Sequence, residues 1–199
     1  MFADRLFNAL ERNEPAPGQL LVAAPGLKDE FFARSVILLL QCGEEVTFGV
    51  NLVMRSDVAV PNVMENDWAE LVSKPKAFYI GGPVEQSAAV AVGVTKPGVD
   101  IDSHPRLRRL ANRLAHVDLN GSVDEVAVDL IGMRLFVGYS EWAPGQLDEE
   151  IERGDWYVAP ALPFDVIAPG SSDLWADVMA RQPMPLPIYS TYPAHPGEN

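Results

Sequence analysis

One cysteine, Cys42, and three histidines leave the 199-residue chain without an intrachain disulfide or a thiolate zinc cluster. His104, His116 and His195 show no metal-ligand spacing with one another or with Cys42, so no metal and no cofactor is expected. Positive charge is also scarce. Fifteen Lys and Arg stand against 28 Asp and Glu, a net charge of −13, which disfavours loose adhesion to nucleic acid or to anionic membrane. Long apolar runs are missing: Val36 to Leu40 falls far short of the roughly 20 residues that cross a bilayer. Charges interrupt the first 12 residues, which excludes an apolar signal-peptide segment, and neither end carries a lipidation signal. A cytoplasmic protein with no membrane partner is expected. The G-x-S-x-G elbow, the P-loop and the G-x-G-x-x-G fingerprint are all absent.

What is present is a globular composition, 48% hydrophobic and 22% charged, long enough for one sizeable core. Phe2, Leu6 and Leu10, with Ala3 and Phe7 beside them, form the stripe of a short amphipathic helix. Gln19–Ala23 and Ser35–Cys42 read as buried strands, and Phe48–Val53 as a hairpin partner. A short helix is expected over 66–72, with Trp68, Leu71 and Val72 inward. Lys76–Ile80 and Ala88–Thr95 are further strands, Val126–Val137 is a strand pair or one strand bent at Gly132, and Trp156–Ala159 is the last. Leu174, Trp175 and Val178 mark a helix over 172–182 with Ser171 or Ser172 as N-cap. Seven short strands and about five short helices without strict βαβ alternation predict an α+β fold. Residues 1–182 are expected to form a single domain. Residues 183–199, with prolines at 183, 185, 187, 193 and 196, are expected as a Pro-rich tail, neither helix nor central strand, partly docked through Leu186, Ile188 and Tyr189.

Gly138 to Trp156 reads as strand, tight turn and helix. Pro144 is placed in the first helical turn, Asp148, Glu149 and Glu150 near the positive end of the helix dipole, and Gly154 at a left-handed stop. Trp142 and Gln146 carry more polar hydrogen-bonding capacity than a plain turn needs, so they and Glu150 are candidate binding residues. Gly81 and Gly82, before Pro83, form either a tight turn or a backbone nest for an anion. Asp29 and Arg34, five apart across a turn, suggest an ion pair or a ligand contact. Pro105 to His116 reads as a helix with Leu107, Leu110, Ala111 and Leu114 on one face. Arg106, Arg109 and Arg113 line the opposite face, a solvated row balancing the acidic 141–177 segment or, less favourably, a nucleic-acid contact. Cys42, ending an apolar strand, is expected as an inert buried thiol.

Three stretches together carry a resemblance. They are Gly18–Asp29 continued by Phe31, Phe32 and Arg34–Leu39; Phe78–Val84; and Arg134–Leu147 running on through Glu150, Ile151 and Gly154–Trp156. In this order, over nearly the whole chain, they closely resemble the AlgH/YqgE family of bacterial proteins. The resemblance implies a twisted, mostly antiparallel sheet with flanking helices. Some family members carry a transcriptional-regulator label. The chain departs from the family pattern at Gln41-Cys42, where a histidine is usual, and at Leu52-Val53-Met54-Arg55, where Leu-Asn-Arg-Pro is usual. The favoured reading is a non-catalytic cytoplasmic interaction or regulatory protein for an unknown protein or small molecule, its surface lying near Trp142, Gln146 and the Gly81-Gly82 turn. The alternatives are an enzyme using Asp29, Arg34 or Glu150, and a DNA-binding regulator using Arg106–Arg113.

Overall fold

A computed structural model describes residues 14–64 and 66–192. The helix expected over residues 2–10 lies outside the described residues. Ten described strands form one curled sheet. In chain order they are β1 (Gln19–Ala23), β2 (Val36–Cys42), β3 (Thr47–Asn51), β4 (Arg55–Ala59), β5 (Ala77–Ile80), β6 (Val84–Thr95), β7 (Leu107–Ala111), β8 (Leu114–Val117), β9 (Leu130–Trp142) and β10 (Trp156–Pro160). The spatial order is β10-β1-β2-β3-β9-β6-β8-β7, antiparallel throughout, while β5 joins β9 in parallel and carries β4 on its other side. The described α-helices are α1 (Asn66–Leu71), α2 (Asp124–Ala127), α3 (Gln146–Arg153), α4 (Pro163–Val166) and α5 (Leu174–Ala180). The fold is α+β, with a curled antiparallel sheet and a few short helices.

The strand sequences explain the layering. Alternate residues of a strand face opposite sides, and in β1 and β2 both sides are apolar. Leu20, Val22, Val36, Leu38 and Leu40 point into the concave side, where Trp175, Val178 and Met179 of α5 close over them. Leu21, Ala23, Ile37 and Leu39 point to the convex side, beneath Leu147 of α3. A second convex cluster gathers Trp68 and Val72 with Phe78, Ala115, Val126, Met133 and Leu135. The concave cluster is sealed by the indole N–H of Trp175, which donates to the Ala23 carbonyl at 2.8 Å. The sheet curls far enough that a Cβ on Gly18, at the entry to β1, would stand 2.3 Å from the Ala111 Cβ of β7.

Several expectations are corrected. The 105–116 segment is a hairpin of β7 and β8, not a helix. Both faces of the hairpin are covered: Leu107 and Ala115 pack in the second convex cluster and Leu110 and Leu114 in the concave one, so burial on two faces mimics the spacing of one helical face. Val126 belongs to α2, and β9 is one continuous strand whose pairing with β6 is irregular beside Gly132, between Val94 and Thr95, and whose backbone is left-handed at Gly138 (φ +70°). Asp173, not Ser171 or Ser172, caps α5, its carboxylate accepting from the Ala176 N–H at 3.1 Å. Residues Leu186–Thr191 form a 3₁₀ turn with buried Leu186 in the concave core. Prolines at 185 and 187 fit its start, where an N–H has no partner within the turn.

Gly82 lies so close to β9 that a Cβ there would stand 2.0 Å from the Tyr139 carbonyl carbon and 2.1 Å from its oxygen. Backbone cannot yield as a side-chain tip can. Gly82→Ala is expected to lower unfolding stability by about 3 kcal/mol in urea titrations, the upper end of overpacking costs.

Candidate functional site

The 138–156 segment builds as strand, turn and helix. Ala143-Pro144-Gly145-Gln146 closes with the Gln146 N–H donating to the Ala143 carbonyl at 3.0 Å. Gly145 at φ +77°, ψ −15° gives the left-handed third position of a type II turn, with proline in its favoured second place. Pro144 therefore precedes the helix and does not sit in its first turn. Asp148 and Glu149 occupy that first turn, and Gly154 (φ +87°) ends the helix. The Gln146 side chain reaches back, its Oε1 accepting from the Ala143 N–H at 3.1 Å, while its Nε2 donates to Glu150 Oε1 at 2.9 Å. Glu150 Oε2 accepts both indole N–H groups, from Trp142 at 2.9 Å and from Trp156 at 2.8 Å.

This geometry overturns the open cleft expected at Trp142. The indole is only 4% exposed and packs edge-on against Trp156, with ring centroids 6.1 Å apart. Gln146 is exposed, but both ends of its amide close the turn and hold Glu150. The extra polarity of the motif is explained by two buried indole donors that need an acceptor. Cys42 lies against the same cluster, and burial, then the charge of Asp148, push its thiol up to about 11. The thiolate is scarce at neutral pH.

The other expected site residues fall elsewhere. Asp29 accepts from the N–H groups of Phe31 and Phe32, both at 2.9 Å, and shapes its own turn. Arg34 (φ +55°) turns away from it. Its guanidinium pairs with Asp173, donates to the Tyr192 carbonyl at 2.6 Å and lies 4.2 Å over the Trp175 ring. The expected Asp29–Arg34 pair is thus replaced by a clamp on the start of α5. Gly81 and Gly82 are buried. The Gly81 N–H donates to Val137, and its carbonyl accepts from the Asn51 N–H (2.9 Å) and the Ser140 hydroxyl (3.3 Å), so this turn joins strands and is not an open anion nest. Arg106 and Arg109 are tied to carboxylates near the hairpin and not to 141–177. Arg106 bonds Asp118 (2.9 Å) and Glu125 (2.8 Å), and Arg109 bonds Asp102 (2.8 Å).

The structure instead opens a depression of about 570 Å³ between the 96–105 loop and Asp129, lined by Lys96, Asp100, Ser103 and His104. The His104 Nδ1 accepts the Arg106 N–H at 3.1 Å, which leaves its proton on Nε2, 3.4 Å from Asp129 Oδ2. Ser103 donates to Asp100 at 2.8 Å, and Lys96 donates to the Val128 carbonyl at 2.5 Å. These residues are separated by up to 33 positions, and only chain folding brings Asp129 to the loop. The legible signal was a polar loop with Pro97-Gly98 between two strands. Among the described residues no three His, Cys, Asp or Glu side chains group as a metal site, and no helix is long and apolar enough to cross a membrane.

Two outcomes follow from these side chains. Glu150→Ala strands two buried donors and is expected to cost about 2–4 kcal/mol of stability, whereas Glu150→Gln, which keeps an acceptor, costs about 1. Denaturant titration with tryptophan fluorescence reads both. His116 is held below the ordinary imidazole value of 6.5 by burial and by Arg108, against a smaller opposing pull from Asp118. A folded-state pKa lowered from the unfolded value stabilises fully above about 6.5 and loses that contribution as pH falls through the folded value. Stability should therefore decline on acidification from pH 7, and His116→Gln should flatten that slope relative to the unsubstituted chain.

A family model described as AlgH-like matches residues 20–187. A UPF0301 protein of Corynebacterium efficiens is 65% identical over 198 residues, covering 100% of this chain and 98% of the relative. A UPF0301 protein of Mycobacterium tuberculosis is 44% identical over 176 residues, covering 88% and 87%. The crystal structure of protein DIP2367 from Corynebacterium diphtheriae superposes with a TM-score of 0.92 at 62% identity, over 96% of this chain and 100% of that one. The solution structure of the AlgH protein from Pseudomonas aeruginosa, 19% identical, shares the fold with a TM-score of 0.64 over 94% and 100%. By model match over most of its length, and by relatives of this identity and coverage, the chain belongs to the AlgH-like family.

Proposed function

We propose that this chain is a non-catalytic interaction or regulatory protein of the cytoplasm, and that its ligand-binding surface is the depression between the 96–105 loop and Asp129. The observation that carries the reading is the state of the polar groups there. Both nitrogens of His104 have partners, and the Ser103 hydroxyl donates to Asp100 instead of to His104, so the two do not form a Ser–His dyad. Lys96 keeps N–H groups, and Asp100 and Asp129 keep lone pairs, beyond the bonds they make. A mixed-charge surface of this kind suits recognition of a small polar molecule or a charged segment of a protein. The DNA-binding alternative loses its helix, and Asp29, Arg34 and Glu150 of the enzyme alternative sit in three separate structural roles.

Screening metabolites and peptides against the isotope-labelled full chain by NMR tests the reading. Ligands should move amide signals of residues 96–105 and 129, and Lys96→Ala with Asp100→Asn should weaken binding about tenfold or more, the worth of a charged hydrogen bond. Turnover of any ligand that is lost in His104→Ala at unchanged stability would show an enzyme instead.

A further inference from the structure

Arg134 is a cation in the concave core. Its residue is 1% exposed, and it stands opposite Val92 on the inward face of β9. Its guanidinium lies 4.2 Å over the Tyr79 ring and donates to the carbonyls of Ala168 (2.9 Å) and Lys74 (3.4 Å). Its Nε has no partner. Among the described residues Arg34, Arg106, Arg109, Arg153 and Arg181 each pair with a carboxylate, and Arg134 pairs with none. Burial lowers its pKa, against a smaller opposing pull from Tyr79.

One exposed cation reaches the same loops and a second is carried on one of them. Arg55 is the strand partner of Tyr79, and its Nη1 would lie 3.6 Å from a Cβ on Gly170, a point only 2.8 Å from Pro75 Cγ. Arg55 thus reaches, from outside, the two loops whose carbonyls take the hydrogen bonds of Arg134 from inside. Lys74 is exposed on one of those loops. Neither Arg55 nor Lys74 pairs with a carboxylate among the described residues. In a chain of net charge −13, three uncompensated cations converge on the loops around 74–75 and 168–170.

We infer that Arg55 and Lys74, on the surface over the buried Arg134 guanidinium, form a binding site for an oxyanion of the phosphate type. Arg55 offers a planar fork that can bond two phosphate oxygens, and Lys74 a rotatable point charge. Arg134 supplies a fixed positive potential from the interior, where a charge is screened less than at the surface. The site shares no residue with the depression near His104, so the two stand or fall separately.

Titration of the full chain with inorganic phosphate and then pyrophosphate, at low ionic strength, tests the assignment by calorimetry and NMR. Pyrophosphate should bind more tightly than phosphate, and added salt should weaken both. Arg55→Gln and Lys74→Gln should each weaken pyrophosphate binding about tenfold or more, as expected for loss of one charged hydrogen bond. Arg108→Gln, removing an exposed arginine of β7, should leave it unchanged. Absence of binding at low salt overturns the inference. So does unchanged affinity in Arg55→Gln and Lys74→Gln, or an equal loss in Arg108→Gln, which would mark diffuse attraction to any surface cation.

Discussion

Strands β1 and β2 are apolar on both faces, and a sheet with two apolar faces cannot leave either to water. That constraint organises the molecule. The concave face is closed by curling the sheet and laying α5 across it, with Trp175 bonded to the Ala23 carbonyl. The convex face is closed by α3 over Leu21, Ile37 and Leu39. Each closing element then needs its own anchor, because short helices hold poorly by propensity alone. Arg34 anchors α5 through Asp173, and Glu150 anchors α3 through two tryptophans.

Legibility in the sequence follows from how local each feature is. β1, β2 and β10 were readable because a buried strand shows as an apolar run between turn residues, and the helix over 146–153 because its turn and stop are encoded by neighbouring Pro-Gly and Gly. The β7–β8 hairpin reads as a helix because its leucines are buried on both faces, Leu107 on one and Leu110 and Leu114 on the other, which produces helical spacing without a helix. β4 was missed altogether. Its pairing with β5 is irregular between Arg55 and Ala59, and its exposed residues carry no alternation. Arg34 was assigned the nearest carboxylate in sequence, Asp29, while its real partner lies 139 positions away. Asp129 joins His104 only through the return of the chain after α2, so the depression had no local signature.

The residues that identify the family raise a separate issue. Trp142, Gln146, Glu150 and Trp156 form a closed set in which the polar atoms of each satisfy another. Chemical demands on such a set are strict, since an indole N–H in the interior must find an acceptor, and here one carboxylate oxygen serves two at once. Strictness of this kind needs no ligand to explain it. A polar, aromatic motif is thus a poor pointer to a binding site when its polar atoms can reach one another within one turn and one helix.

If the most specific motif is structural, function has to be sought where polar groups are not mutually satisfied. Interior and surface differ in what that means. On the surface, water supplies the missing partner, and an unpaired Lys or Asp by itself signals nothing. In the interior water is scarce, and an unpaired charge must be offset by dipoles, by an aromatic face or by a counter-charge from outside. Arg134 uses the first two, two carbonyls and the Tyr79 ring, and still leaves Nε unbonded. A positive charge held in the core, screened less than one at the surface, adds a positive contribution to the potential above it. The acidic composition describes the molecule as a whole, and Arg55, Lys74 and Arg134 are cations gathered at the 74–75 and 168–170 loops within it.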